Sequence, residues 1–422
     1  MVVLSKYPNH KELNMDNHTI KTVFKKYIHP LDTKVIQKMI ESAEIDKYVK
    51  KLDVLSFTKA FIYAQLKGLL GLGRISENIK RKKSVQRHVG LESISKSQLS
   101  RKQGQIPPEI FQVILQHLIQ KLHQMLGPKA DKTLGKIHLI DSSTISMCLN
   151  QYEWANFRQT KAGVKMHTSI ILCGDESYPN NVIITPARPA DETQLDALIV
   201  PTKDALHVFD CGYFNFEKFD SYCAEGIRFV TRIKINTVVT IIEELSVDPE
   251  SSIIRDAVVK IGNMKHPLRL IETMDSEGNK ISIVCNDAKL NAQEISDLYR
   301  SRWQIELFFK WIKQHLVLKK LYGKSQNGVL NQIYIAMITF CLNLLLKLDL
   351  GYKGSLLEMM NWVTDCWSKT LTTFISELFK KPDCTSKGRR RLQHQRIFEE
   401  TLAQYESGDI SHLDDLTYDP II

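Results

Sequence analysis

Apolar residues first recur at helical spacing in Val35, Ile36, Met39 and Ile40, behind Asp32 or Thr33 as a candidate cap. They do so again in Phe57, Phe61 and Leu66, until Gly71 and Gly73 end the pattern. A short helical turn follows near Ser97–Gln103, and Pro107-Pro108 opens another helix. From Lys136 the period shortens. Lys136–Asp141 (KIHLID), Val164–Cys173 and Asn181–Thr185 read as strands, with a turn at Asp175–Pro179. A helix is expected after Asp191, a strand at Leu206–Asp210, a helix over 215–224 and a strand at Arg228–Ile233. Residues 236–290 stay β-rich (VVTIIEEL, HPLRLIETM, KISIVCN), and one helix is expected over 292–317. Gln332–Leu350 and Leu356–Phe379 read as supporting helices.

Three strands, helix, strand, helix, strand is the order of an α/β, ribonuclease-H-like fold, in which the first and fourth strands bring two acids together. The pattern therefore predicts a ribonuclease-H-like catalytic core interrupted by a β-rich insertion, with helical N-terminal and C-terminal regions. The boundaries are 1–125 (helical, basic), 130–235 (first part of the core), 236–290 (insertion), 291–350 (second part of the core) and 351–422 (helical, basic). The most apolar run, Ile333–Leu350, is interrupted by Asn343, Lys347 and Asp349, which suits a buried helix better than a membrane span.

Charge adds a partner class. Lys plus Arg number 57 against 47 Asp plus Glu, a net charge of +10, and such a surplus attracts nucleic acid or anionic membrane. Basic residues gather at Lys80–Lys83, Arg87-His88, Arg101-Lys102 and Lys387–Arg391. Small helices joined by basic turns are compatible with a helix-turn-helix reader of DNA and equally with a solvated bundle. The eight cysteines include no C-x2-C pair, which disfavours a zinc site or a disulfide framework and fits a reducing cytoplasm. The N-terminus turns polar too soon for a secretory signal.

The 292–317 helix carries the loudest chemistry. Tyr299, Arg302, Glu306 and Lys313 are offset by three, four and seven positions, which leaves them within an arc of about 60° at roughly 100° per residue. Alone, such a stripe is more often a solvated face with weak ion pairs. The whole segment Leu298–Lys320 (LYRSRWQIELFFKWIKQHLVLKK), however, resembles the Y-x2-R-x3-E-x6-K block of the DDE transposases of the insertion-sequence-four family. IDSSTIS and FDCGYFNFEKFD are similar to that family's two aspartate motifs, with Cys211 where Arg is usual.

The resemblance implies a cut-and-paste transposase that cleaves and joins DNA. Asp141, Asp210 and Glu306 would hold two Mg2+ or Mn2+ ions, hard cations that accept a few carboxylates. Tyr299, Arg302 and Lys313 would hold the DNA end. Arg158, Lys161 and Lys165, in family-like text (WANFRQTKAGVKMH), would line the approach to Asp141 unless they form a plain solvated hairpin. Double-stranded DNA, both element ends and target, is the expected partner, with a homodimer when two ends are synapsed and no membrane. A structure-selective nuclease of the same fold, or a scaffold that binds DNA without cutting it, are the rivals.

Overall fold

The computed structural model describes residues 22–127, 135–158, 161–174, 176–234, 236–274 and 278–380, together with Ala403 and Ser407. The side chains of Phe157 and Arg158 are outside that description, as is the basic run 387–391. Before the sheet come α1 (Val23–Ile28), α2 (Lys34–Ser42), α3 (Val54–Leu66), α4 (Leu72–Arg81), α5 (Lys83–Val89), α6 (Lys96–Gln105) and α7 (Pro108–Leu126). The cap of α2 is Thr33, whose hydroxyl accepts from the Ile36 amide at 3.4 Å. The Lys80–Lys83 run is not a loop. It is the junction of α4 and α5, with Lys82 alone between them.

Then follow β1 (Lys136–Met147), β2 (Asn156–Arg158), β3 (Lys161–Cys173), β4 (Glu176–Pro186), α8 (Leu195–Leu198), β5 (Ala205–Phe209), α9 (Phe216–Glu225) and β6 (Arg228–Arg232). The expected turn at Asp175–Pro179 is shorter, since β4 already begins at Glu176. After β6 come β7 (Val239–Glu244), β8 (Ile253–Ile261), β9 (Leu268–Met274) and β10 (Lys280–Cys285). All ten strands belong to one sheet, ordered β2-β3-β1-β5-β6-β10-β9-β8-β7 with β4 also on β3. The β-rich segment expected as an insertion continues this sheet. β10 pairs antiparallel with β6 (Ile283↔Arg232, Cys285↔Val230), which satisfies an edge that would otherwise be left open. One face of the sheet is closed by α8 and α9, with Ile140, Phe209, Phe219 and Phe229 in a common core.

The remaining helices are α10 (Ala292–Ser301), α11 (Trp303–His315), α12 (Gln326–Asp349), α13 (Leu356–Cys366) and α14 (Leu371–Leu378). The expected helix over Leu356–Phe379 is split between α13 and α14. There the carbonyls of Trp367 and Lys369 accept from the Phe24 and Val23 amides, tying the break to the start of α1. α12 is long and apolar enough to cross a membrane, yet 94% of its apolar window is buried. Helices α1, α3, α6, α7 and α13 pack around it. The expected boundary near residue 125 is therefore not a break in packing, because the N-terminal helices and α12 share one core. The first compact unit ends at Phe374; of the second, which begins at Ile375, the described part is residues 375–380, Ala403 and Ser407.

This helical layer also holds the end of α11. The Val317 amide donates to Gln65 Oε1 at 2.6 Å, and Gln332 Nε2 donates to the carbonyls of Val317 (2.8 Å) and Lys320 (3.0 Å). Gln65 and Gln332 are themselves buried. Such bonds are expensive to lose once their groups are out of water.

Candidate active site

Sheet register brings the two aspartates together. β1 and β5 are parallel and paired from Lys136↔Ala205 to Ile140↔Phe209. The next residue on each strand is an acid, Asp141 and Asp210. Side chains alternate along a strand, so these two leave the face occupied by Ile140 and Phe209 and turn to the other. Each carboxylate is held by a nearby amide: Asp141 Oδ1 accepts from Ser142 N at 2.7 Å, and Asp210 Oδ1 from Gly212 N at 2.9 Å. Burial first, then the charges of Asp210 and Glu306, push the Asp141 carboxyl up to about 7, against the lowering pull of the Ser142 amide and Arg302.

The acidic helix is not the single rod expected. It breaks at Arg302, where Arg302 N bonds Tyr299 O and Ile305 N bonds Arg302 O, each at 3.1 Å and three residues back. Such a tightened turn eclipses positions three apart. Tyr299 and Arg302 accordingly stack, with the guanidinium carbon 5.9 Å from the ring centroid. Arg302 joins the two arms of the site: its Nη2 lies 2.7 Å from Glu306 Oε1 and its Nη1 3.7 Å from Asp141 Oδ2. Lys313, further along the helix, donates to the Thr144 carbonyl of β1 at 3.0 Å. Burial lowers the Lys313 pKa and raises that of Tyr299.

Two of the acids, Asp141 and Glu306, thus share one guanidinium, and the three do not form a ready-made cage. Among the described residues no group of three His, Cys, Asp or Glu side chains is set to hold a metal. The donor set nevertheless fits a hard divalent ion: Asp141 sits among the charges of Asp210 and Glu306, whose repulsion a divalent cation would relieve with oxygen ligands alone.

Residues 133–344, half of the chain, match the family described as Transposase DDE domain. The chain belongs to the DDE transposase family. It is a transposase, an enzyme that acts on DNA and depends on divalent metal. Residues 19–92 match a second family, described as Domain of unknown function (DUF4372). Over 318 residues the transposase is 25% identical to the "Probable transposase for insertion sequence element IS5377" of Geobacillus stearothermophilus, covering 73% of this chain and 82% of that protein. It is 31% identical over 218 residues to the transposase-named protein y4zB of Sinorhizobium fredii, 49% of this chain and 59% of that one. A piggyBac transposase synaptic complex with hairpin DNA overlays with a TM-score of 0.44 at 12% identity, covering 91% of this chain and 85% of that chain. So low a score says nothing about the site.

The other basic positions are placed differently. Lys165 is committed to Asp191, Nζ to Oδ1 at 2.9 Å, and is only 18% exposed. Lys161 is exposed at the start of β3, where it pairs with Arg158. The Arg158 side chain lies outside the described residues. Sequence reasoning did not single out Asp191, Ser142 or Tyr213, although Ser142 contacts both Asp141 and Asp191. Ser142 and Tyr213 stand within the aspartate motifs and could have been flagged by adjacency; Asp191 is 50 residues from Asp141 and carries no local signal.

Proposed function

We propose that the transposase is a cut-and-paste enzyme of the insertion-sequence-four family, built on a ribonuclease-H-like core. It binds the terminal inverted repeats of its element, cleaves the ends to expose a 3′ hydroxyl and joins them to target DNA in the cytoplasm. Synapsis of two ends makes a homodimer the working form. The observation that carries this reading is the parallel register that ends at Ile140↔Phe209, leaving Asp141 and Asp210 side by side opposite the Glu306 helix.

Asp141, Asp210 and Glu306 would hold two Mg2+ or Mn2+ ions. When bound, such ions activate an attacking oxygen and neutralise a leaving one. The residues of the chain supply the rest. Arg302 bridges two acids in the free protein and offers a planar fork that a DNA phosphate can take over. Tyr299, stacked on Arg302, limits where that fork can point. Lys313 adds a positive charge beside β1, and Lys161 an exposed one on β3.

The test is Glu306→Gln, assayed with labelled element-end DNA and a target plasmid in Mg2+. The reading requires wild type to give cleaved and joined products and the variant neither. Retained metal-dependent cleavage by the variant would remove Glu306 from the site. Cleavage by wild type that follows DNA structure rather than end sequence, without joining, would favour a nuclease.

A further inference from the structure

Beyond Ile140, β1 has no strand partner on its β5 side among the described residues, because the ladder stops there. The strand that carries Asp141 is paired on one flank only, with β3 (Asp141↔Thr168, Ser142↔His167, Thr144↔Lys165). The charges of Asp210 and Glu306 act on Asp141 at this half-supported stretch, with Arg302 as the opposing charge. A constraint is found on the opposite face of the strand. Ser142 Oγ donates to Asp191 Oδ1 at 2.7 Å, while the Ser142 amide donates to Asp141 at 2.7 Å.

We propose that Asp191 is a positioning residue for Asp141, acting through Ser142. One residue is gripped twice, its amide orienting the carboxylate on one face and its hydroxyl anchored on the other. Asp191 is fixed in turn by Lys165 of the neighbouring strand, at 2.9 Å. That ion pair also cancels the Asp191 charge, so the anchor adds little to the field that Asp141 already feels. The segment bearing Asp191 is seated in the core through Leu195 and Leu198, beside the buried Tyr213. Asp191 Oδ1 already accepts from Ser142 and Lys165, so it holds the strand and leaves metal binding to the other acids.

This inference rests on the proposed role of Asp141. Mn2+ binding to the full chain without DNA is measured by calorimetry for wild type, Ser142→Ala, Asp191→Ala and the double variant, with unfolding temperatures taken in chelator. Each single variant is expected to bind Mn2+ about tenfold more weakly, as loss of an orienting partner commonly does. Unfolding in chelator should shift by no more than about 3 °C. The double variant should bind no more weakly than either single one, because both changes break one chain of contacts. Should Asp191→Ala fail to fold, Ser142→Ala decides alone by the same loss of binding. Wild-type-like binding in Ser142→Ala, or losses that multiply in the double variant, would overturn the inference. Wild type that does not bind Mn2+ would overturn the reading of the three acids themselves.

Discussion

Two kinds of scaffold deliver the acids of this site. Asp141 and Asp210 are placed by sheet register, a ladder of backbone bonds between β1 and β5 that ends one residue before each carboxylate. Glu306 is placed by a helix whose position depends on side chains: Arg302 and Lys313 facing β1, and Gln65 and Gln332 clamping the chain after the helix. Slipping one strand by a residue would turn an aspartate to the other face, so the sheet arm is all-or-none. The helix arm can yield by degrees, since each tie is a separate contact. A site built from both has a rigid pair and an adjustable third acid.

The sharpest way to break this contrast is at the rigid pair. Asp141→Asn should lower the rate of end cleavage about a thousandfold or more. The metal-free protein should nevertheless melt no lower than wild type, because removing one of several crowded like charges relieves repulsion. A large drop in melting temperature would mean that Asp141 holds the strand rather than the chemistry.

The link between the arms comes next. Arg302→Ala should reduce cleavage about a hundredfold, the scale of losing one aimed donor. Arg302→Lys should recover little, since an ammonium lacks the planar fork that reaches Asp141 and Glu306 together. Full activity in the lysine variant would show that only the charge matters.

Gln65→Ala then tests the adjustable arm from a distance. It leaves the buried Val317 amide without its acceptor, a loss of about 1–3 kcal/mol. Hydrogen exchange should rise along α11 while β1 and β5 stay protected. Equal loosening of the strands would erase the distinction between the arms.

The smallest effect concerns the sheet and pH. His207 lies on β5 beside His138 of β1; its Nδ1 donates to the Arg228 carbonyl and its Nε2 accepts from the Val200 amide, each at 3.0 Å. The contact at Nε2 demands the neutral ring, because a protonated Nε2 cannot accept. Burial lowers the His207 pKa to about 4 and that of His138 to about 3, below the ordinary 6.5. The unfolded chain therefore takes up protons first as the solution is acidified. The stabilising contribution is whole above about pH 6.5 and is lost progressively toward pH 4, with about 1 kcal/mol per histidine gone by pH 6. Urea unfolding at about pH 8 and pH 6 measures it, and His207→Gln should flatten the slope. An unchanged slope in that variant would assign the acid sensitivity elsewhere.

Local pattern carried the element types well. The strands around Asp141 and Asp210, the buried character of α12 and the helical character of most of 292–315 were all legible, because alternation and helical period act over a few residues. The break at Arg302 was not, since its cause is a shift of two bonds from four-residue to three-residue spacing that no residue type announces. Nor was the fate of residues 236–290. Their strand texture was plain, but only pairing of β10 with β6 decided that they would lengthen the core sheet.

By itself, then, the order of residues determined which segments are strands or helices, which acids follow strands, and which family text surrounds them. Tertiary structure alone decided that Asp141 lies beside Asp210, that Arg302 spans from Glu306 to Asp141, and that Asp191 grips Ser142 from behind. Secondary structure is set by contacts between near neighbours. A site is set by contacts across tens to hundreds of residues, and those come into being only when the ladder between β1 and β5 closes and the helical layer locks α11 against it.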